Sequence, residues 1–540
     1  MKLLFVTWWV ISWLGKWITA ASIWKLLSAA WFKVSTIKLD PYLNIDAWTM
    51  SPYEHWEVFV TEDWWETDLD LWHYERFINT PLSKDNSITT WKIYKTVLEK
   101  ERIGHYLWKN IQVIPHVVDE VKEQIFTVAR KYDITIIEIW WTIWDIEWPH
   151  FIEAARQLKA TLWKENVMYA HVVPVLYLNY SWEFKSKQIQ HSYANLASMG
   201  IHADMLVCRT EHPLPESIKE KLSLFCDIDA SAIIENRNVE SIYQIPALFQ
   251  EQGVDRIILE HFGLWASSAD ITLWNQKVDS LLHAPDKLTI GMVWKYAEQQ
   301  DSYMSVTEAL KHAGIVFHKK ITIKRLQADD FTHADTLQTI MDGIDGLVIP
   351  GWFGSRWMEW KIAAAQYART HNIPFLWLCL WLQMAVIEYA RNVLKIQHAH
   401  TVEADQNCQD PVISYMPWQS DELLKWWTMR LGAYTTHLDT DSRVYTLYST
   451  YGPERLNKNT IQERHRHRFE VNPAYYDRLE QWWLHLCWKD ATLWLVEFIE
   501  ITNHAFYVAT QAHPEFTSSI EHPHPLFVWF IHAAQKKNWA

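Results

Sequence analysis

Short apolar runs alternate with amphipathic stretches over most of the chain. Leu3–Thr7, Val34–Lys38, Glu57–Thr61, Ile111–Ile114, Ile134–Ile139, Met168–Leu178 and Met205–Cys208 read as strands, and Val118–Lys131 and Phe151–Leu158 as helices. Apolar strands separated by helices predict βαβ units around a parallel sheet, an α/β fold. The polar stretch 267–287 has little strand character and reads as a linker. The alternation restarts with Leu288–Met292, Ser305–Ala313, Gly346–Pro350, Ile373–Cys379, Gln383–Val393 and Ala505–Gln511. Two α/β domains follow, residues 1–266 and 288–540. The apolar stretch Leu3–Leu14 superficially suggests a signal peptide, but Lys16 and Lys25 interrupt it. It falls short of the ~20 apolar residues of a membrane span. A buried strand leading into a helix explains it better.

Composition then narrows the possibilities. The formal net charge is −14, from 50 Lys and Arg against 64 Asp and Glu, which disfavours a nucleic-acid partner bound through its phosphates. Five Cys, with no CxxC pair, argue against a disulfide framework and fit a reducing cytosol. One ratio is abnormal: 13 Gly against 36 Trp. Gly normally supplies the φ > 0 positions of turns. Here Trp8-Trp9, Trp64-Trp65, Trp140-Trp141 and Trp426-Trp427 follow strand-like runs, where turns are expected.

Chemistry is sparse in the first half. Gly15-Lys16 lies between a strand and a helix, as in a phosphate loop, but Trp17 follows where Ser or Thr would hold Mg²⁺. An ordinary strand–helix connection is the competing reading. Asp70, within Glu66–Asp70, and Glu138 fall beyond or at strand ends, the ligand edge of an α/β sheet, where carboxylates hold Mg²⁺ or are merely solvated. The second half is more specific. Cys379 stands where a strand meets a helix, a position that favours the nucleophilic thiolate. His513 follows the strand Ala505–Gln511, with Glu515 two residues on to orient its imidazole. That set favours nucleophilic catalysis over a buried structural Cys, the reading given to Cys208 and Cys226. Arg464–Arg468 reads as a solvated basic patch or a carboxylate-binding one.

Taken together, Leu14–Lys16, Asp40–Asn44, Thr49–Tyr53, Glu66–Leu71, His73–Phe77, Val97–Arg102, Gln112–His116, Asp145–Glu147, Met429–Gly432 and Glu463–Arg468 resemble CTP synthases, in the right order along the chain. The resemblance implies an N-terminal P-loop-like amidoligase domain with a parallel sheet and a C-terminal class I glutamine amidotransferase domain. It implies ATP-dependent amination of UTP to CTP with ammonia from glutamine. It assigns nucleotide phosphates to Ser12, Trp13, Leu14, Gly15, Lys16, Trp17 and Ile18, with Lys38 beside them, and Mg²⁺ to Asp70 and Glu138. Asp145, Ile146, Glu147, Lys185, Ser186, Lys187, Gln188, Ile189, Gln190 and Lys221 would bind the pyrimidine nucleotide. Arg237, Asn238 and Val239 would lie near the ATP base. Cys379 would attack glutamine with His513 as base and Glu515 as orienter. Trp352, Leu380, Trp381, Leu382, Gln383, Glu403 and Arg468 would surround that substrate. GTP activation, a homotetramer and a cytoplasmic location are further implications.

The chain departs from the family at twenty positions where Trp replaces Gly: 8, 9, 17, 48, 56, 64, 72, 91, 108, 140, 141, 144, 294, 352, 357, 360, 377, 381, 426 and 427. A residue forced into a rare φ/ψ region costs ~1–3 kcal/mol, against a total stability of ~5–15 kcal/mol. Either many of these positions take negative φ, or the fold is badly compromised. Indoles at 8, 9, 13 and 17 are expected to fill the space of the ATP phosphates, and those at 352, 377 and 381 to crowd the thiol. Impaired catalysis is the expectation, with a catalytically dead scaffold of the same fold or a glutaminase-only amidotransferase as the alternative readings.

Overall fold

The computed structural model describes the chain except for residues 9–14, 45–56, 141–148, 179, 181–182, 295–302, 328–333, 352–357, 417–428, 491–493 and 537–540. Two compact units emerge, Met1–Glu54 with Thr67–Val278, and His55–Glu66 with Asp279–Ala540. The stretch 267–287 carries the helix Thr272–His283, which buries Trp274 and Val278.

In the first unit seven parallel strands form one sheet: β1 (Lys2–Trp8), β2 (Val34–Asp40), β3 (Ser87–Thr89), β4 (Ile134–Ile139), β5 (Val167–Pro174), β6 (Met205–Thr210) and β7 (Ile233–Arg237). Their spatial order is β7-β6-β5-β1-β4-β2-β3. Helices cover both faces, so β1, β2 and β4 are buried along almost their whole length; β1 and β4 are mainly apolar, whereas β2 also buries Ser35, Thr36, Lys38 and Asp40. Apart from Lys2, charged residues enter these three strands only towards the carboxyl ends, where Lys38 pairs in register with Glu138. The run Ile111–Ile114 is not a strand. Val113 and Ile114 are 45% and 53% exposed, and Pro115, which follows, has no N–H to give a ladder.

The second unit holds a nine-stranded mixed sheet. Its strands are β8 (Asp286–Trp294), β9 (Lys319–Gln327), β10 (Gly346–Ile349), β11 (Phe375–Leu378), β12 (Arg430–Leu438), β13 (Thr460–His467), β14 (Leu484–Asp490), β15 (Val496–Ile501) and β16 (Tyr507–Thr510). The order is β9-β8-β10-β11-β16-β15-β14-β12-β13. Pairing is parallel from β9 to β16 and antiparallel beyond. The segment Arg464–Arg468 is not a solvated patch: Arg464, His465, Arg466 and His467 are buried in β13. Each has an acidic partner, Glu62, Glu497, Glu66 and Glu470 respectively.

The tryptophans divide by backbone conformation. Among the eleven family Gly positions that lie in described residues, only Trp64 (φ 69°) and Trp108 (φ 64°) take positive φ. Trp8, Trp72 and Trp377 sit inside strands or helices and are fully buried. Trp31, Trp163 and Trp494 also have positive φ, and all five positive-φ tryptophans are exposed. Trp31 occupies the C′ position of α1 (Lys16–Ala29), where the N–H groups of Trp31 and Phe32 bond to the carbonyls of Ser28 and Leu27, a Schellman closure that favours Gly.

Candidate active sites

In the second unit, parallel pairing of β11 with β16 sets Leu378 opposite Thr510. The chain leaves both strands at the same edge, so Cys379 and His513 emerge beside one another. Cys379 caps α5 (Leu380–Asn392) with φ 58° and ψ −118°, a strained elbow outside the usual regions for a non-Gly residue. Its backbone N–H donates to Thr510 O at 2.7 Å, which locks the elbow to β16. The thiol points towards Arg466 O at 3.4 Å, and Gln511 Nε2 approaches Sγ at 3.8 Å. His513 Nδ1 lies 2.7 Å from Glu515 Oε1, which fixes the imidazole. Burial alone would depress the His513 pKa. Cys379 first and Glu515 second outweigh it and raise the value to about 10. The His513 ring also stacks on Phe516 at 5.0 Å.

Around this set, Gln383 Nε2 donates to Phe469 O at 2.7 Å and to Gln511 Oε1 at 3.3 Å. Leu380 and Leu382 are buried on α5. Glu403 is partly exposed, with its backbone N–H bonded to Thr401 Oγ1, and the Arg468 guanidinium lies over the Tyr415 ring. Trp352 and the side chain of Trp381 fall outside the described residues. Trp377 does not crowd the thiol: it is packed in the core against Phe375 at 4.4 Å. Sequence reasoning missed Gly351. A Cβ there would lie 3.2 Å from His513 Cε1 and 3.3 Å from Cys379 Cβ, so side-chain bulk would press on both. The available signal was its survival as one of only 13 glycines.

In the first unit the carboxyl ends of β1, β2 and β4 meet the N-terminus of α1. Gly15 has φ 88°, and a Cβ on it would strike Ile18 Cγ2 at 2.7 Å. Lys16 opens α1 and is buried; burial lowers its pKa against the opposing pull of Glu138 and Asp70. Lys38 is buried among Asp40 at 3.3 Å, Asp70 at 2.6 Å and Asp68. Asp70 opens α2 (Asp70–Ile78), and Tyr74 on that helix donates to Glu138 Oε2. Burial first, then the Asp70 charge, raises the Glu138 pKa to about 7; burial likewise raises Asp40 to about 8. Glu138 Oε1 is buried and makes no hydrogen bond among the described residues. An unsatisfied carboxylate oxygen beside further carboxylates fits a hard divalent cation.

Trp140 lies over both lysines, 5.2 Å from Lys16 Nζ and 4.9 Å from Lys38 Nζ. Trp17 instead stacks on His73 at 3.8 Å. Ser12, Trp13, Leu14, Asp145, Ile146 and Glu147 lie outside the described residues. The segment 185–190 runs from a short strand into α3 (Lys187–Ser198). Lys185 pairs with Glu183 at 2.5 Å, and the Lys221 charge on α4 (Glu216–Cys226) also reaches Glu183. Ser186 and Ile189 are buried, while Lys187, Gln188 and Gln190 keep exposed or half-exposed positions. Arg237, Asn238 and Val239 leave the end of β7. Asn236, just before them, donates to Thr19 in the first turns of α1. Sequence reasoning assigned no role to Tyr74 and Asp40, although both lie within the motifs that carried the resemblance; Asp68 was read only with its acidic neighbours as a candidate for Mg²⁺.

Residues 2–264 match the family model for the CTP synthase N-terminus, and residues 299–533 match that for class I glutamine amidotransferases. A CTP synthase of Methanocaldococcus jannaschii is 47% identical over 99% of this chain and 98% of its own length. One of Bacillus subtilis is 43% identical over 99% and 98%. A solved Trypanosoma brucei CTPS glutaminase domain with bound acivicin is 32% identical, covering 47% of this chain and 96% of that one, with a TM-score of 0.43. With full-length relatives on one side and a thiol–imidazole–carboxylate set in the amidotransferase half on the other, the chain belongs to the CTP synthase family.

Proposed function

We propose that this ligase aminates UTP with ammonia released from glutamine at Cys379, His513 and Glu515, using ATP bound over Lys16 and Lys38. The observation that carries the reading is the Cys379 elbow beside a His513 held at 2.7 Å by Glu515. His513 takes the thiol proton, Cys379 Sγ attacks the glutamine amide carbon, and His513 returns the proton to the departing ammonia. The resulting thioester is then hydrolysed by water. The N–H groups at the start of α5 suit the oxyanion of each tetrahedral state. Gln383, Glu403 and Arg468 would hold the amino-acid end of glutamine.

In the first unit the lysines would bind ATP phosphates, and UTP would be activated as its 4-phosphate. Asp70 and Glu138 would hold Mg²⁺, which when bound neutralises phosphate charge. Lys185–Gln190 and Lys221 would take UTP, and Arg237–Val239 would flank the adenine. GTP activation, a homotetramer and a cytoplasmic location complete the reading and rest on family membership. Trp140 over both lysines favours weakened nucleotide binding as a second feature of this chain.

The test is CTP formation from UTP, ATP and Mg²⁺, with glutamine or ammonium as nitrogen source. Product from both supports the full reading. Product from ammonium alone removes the role given to Cys379. Product from neither overturns the proposed activity of this chain.

A further inference from the structure

Away from both sites, strands β14 and β15 bring together His485, Cys487 and Glu500. His485 is the register partner of Glu500, and three residues of β14 then span two of β15, a bulge of the kind that re-aims side chains. One ligand atom from each of the three residues lies within 4.8 Å of the other two. Glu500 is buried, and its Oε2 makes no hydrogen bond among the described residues. Its Oε1 accepts from Arg443 N at 3.4 Å and lies 3.7 Å from His485 Nδ1. The other imidazole nitrogen, Nε2, faces Asp439 Oδ2 at 3.7 Å. His485 and Asp439 are half-exposed, which leaves a route in from solvent.

We propose that His485 Nδ1, Cys487 Sγ and the Glu500 carboxylate bind a thiophilic divalent cation of the Zn²⁺ class, with water completing the coordination. Thiolate and imidazole donors select such an ion over Mg²⁺, which prefers oxygen throughout. Bonds of about 2.0–2.3 Å would need the three ligands to draw in by roughly 1 Å. Asp439 is the positioning residue: a carboxylate on the far nitrogen fixes the tautomer and orients the ring. Binding replaces the Cys487 S–H bond with a sulfur–metal bond and releases that proton to solvent. The ion would staple β14 to β15, and β15 is the neighbour of the strand that leads to His513.

Full-length protein stripped with a chelator is titrated with Co²⁺ and then Zn²⁺. One equivalent of Co²⁺ is expected to give thiolate-to-cobalt charge-transfer absorption, lost in Cys487→Ser and kept in Cys379→Ser. Asp439→Asn is expected to weaken Zn²⁺ binding about 10–100-fold. Absence of the band, or a band that follows Cys379 or Cys408, overturns the site. If Cys487→Ser does not fold, the half-exposed His485→Ala decides: unchanged band and affinity overturn the proposal, loss of either supports it.

Discussion

The two sites reach readiness by different physical routes. The thiol site is built by backbone register. Parallel pairing of β11 with β16 fixes where Cys379 and His513 emerge, and Glu515 orients the ring before any substrate arrives. The proposed phosphate site is built by charge. Lys16 and Lys38 are buried beside Asp40, Asp68, Asp70 and Glu138; Lys38 pairs with three of these carboxylates, and burial raises the pKa of Asp40 and Glu138. A thioester mechanism needs positions, whereas a nucleotide site needs cations that can be released from their internal partners. The first tolerates substitution in the surrounding core, as the buried Trp377 shows. The second is open to interference by anything that settles on the lysines, as Trp140 does.

The largest expected effect separates the sites outright. Cys379→Ser should lower glutamine-dependent CTP formation at least about a thousandfold and leave ammonium-dependent formation within about twofold. Equal loss with both nitrogen sources would mean that the thiol also supports the first unit.

Next comes the charge cluster. Burial raises Glu138 from 4.5 to about 7, so its contribution to stability is fully present below pH 4.5 and lost as pH rises through 7. Without nucleotide or divalent cation, Glu138→Gln should therefore raise the melting temperature at pH 8, and the gain should vanish at pH 4. Equal gains at both pH values would assign the effect to packing.

Trp140→Gly sharpens the comparison from the other direction. Removing two cation–π contacts worth ~1–2 kcal/mol in a desolvated site should improve ATP affinity about tenfold. Glutaminase activity measured without nucleotide should stay the same. Unchanged ATP affinity would clear the indole of blame.

The smallest effect concerns the scaffold. Trp31→Gly should stabilise the chain by about 1 kcal/mol in urea denaturation, because the exposed indole buries little and Gly relieves the left-handed strain. Destabilisation would show that the side chain packs usefully.

Legibility followed the hydrophobic pattern. Strands β1, β4 and β11 announce themselves because parallel strands buried on both faces are mainly apolar. Cys379 was readable from its place at a strand–helix junction, and His513 from its place after β16. Strand β13 was hidden because its inward groups are Glu463, Arg464, His465 and Arg466, whose partners are far away in sequence. A buried charge looks solvated until its counterion is known. The tryptophans misled in a related way: identity alone does not reveal φ, and most of the described positions tolerate a side chain. Trp140 over the lysines could not be foreseen, since its orientation depends on packing with Tyr42 and on the Leu39 carbonyl that anchors its N–H.

The segment His55–Glu66 interrupts the first unit in sequence yet belongs to the second in space. There Glu66 pairs with Arg466 at 2.7 Å, and Phe59 packs edge-on against Phe516, the ring on which His513 stacks. The halves are consequently not interchangeable modules. A gene split at residue 287 would part Arg466 from Glu66, a loss of about 3–5 kcal/mol, and remove Phe59 from behind the ring on which His513 stacks. Separation or domain shuffling in this lineage would have to carry that strap along, or reinvent it.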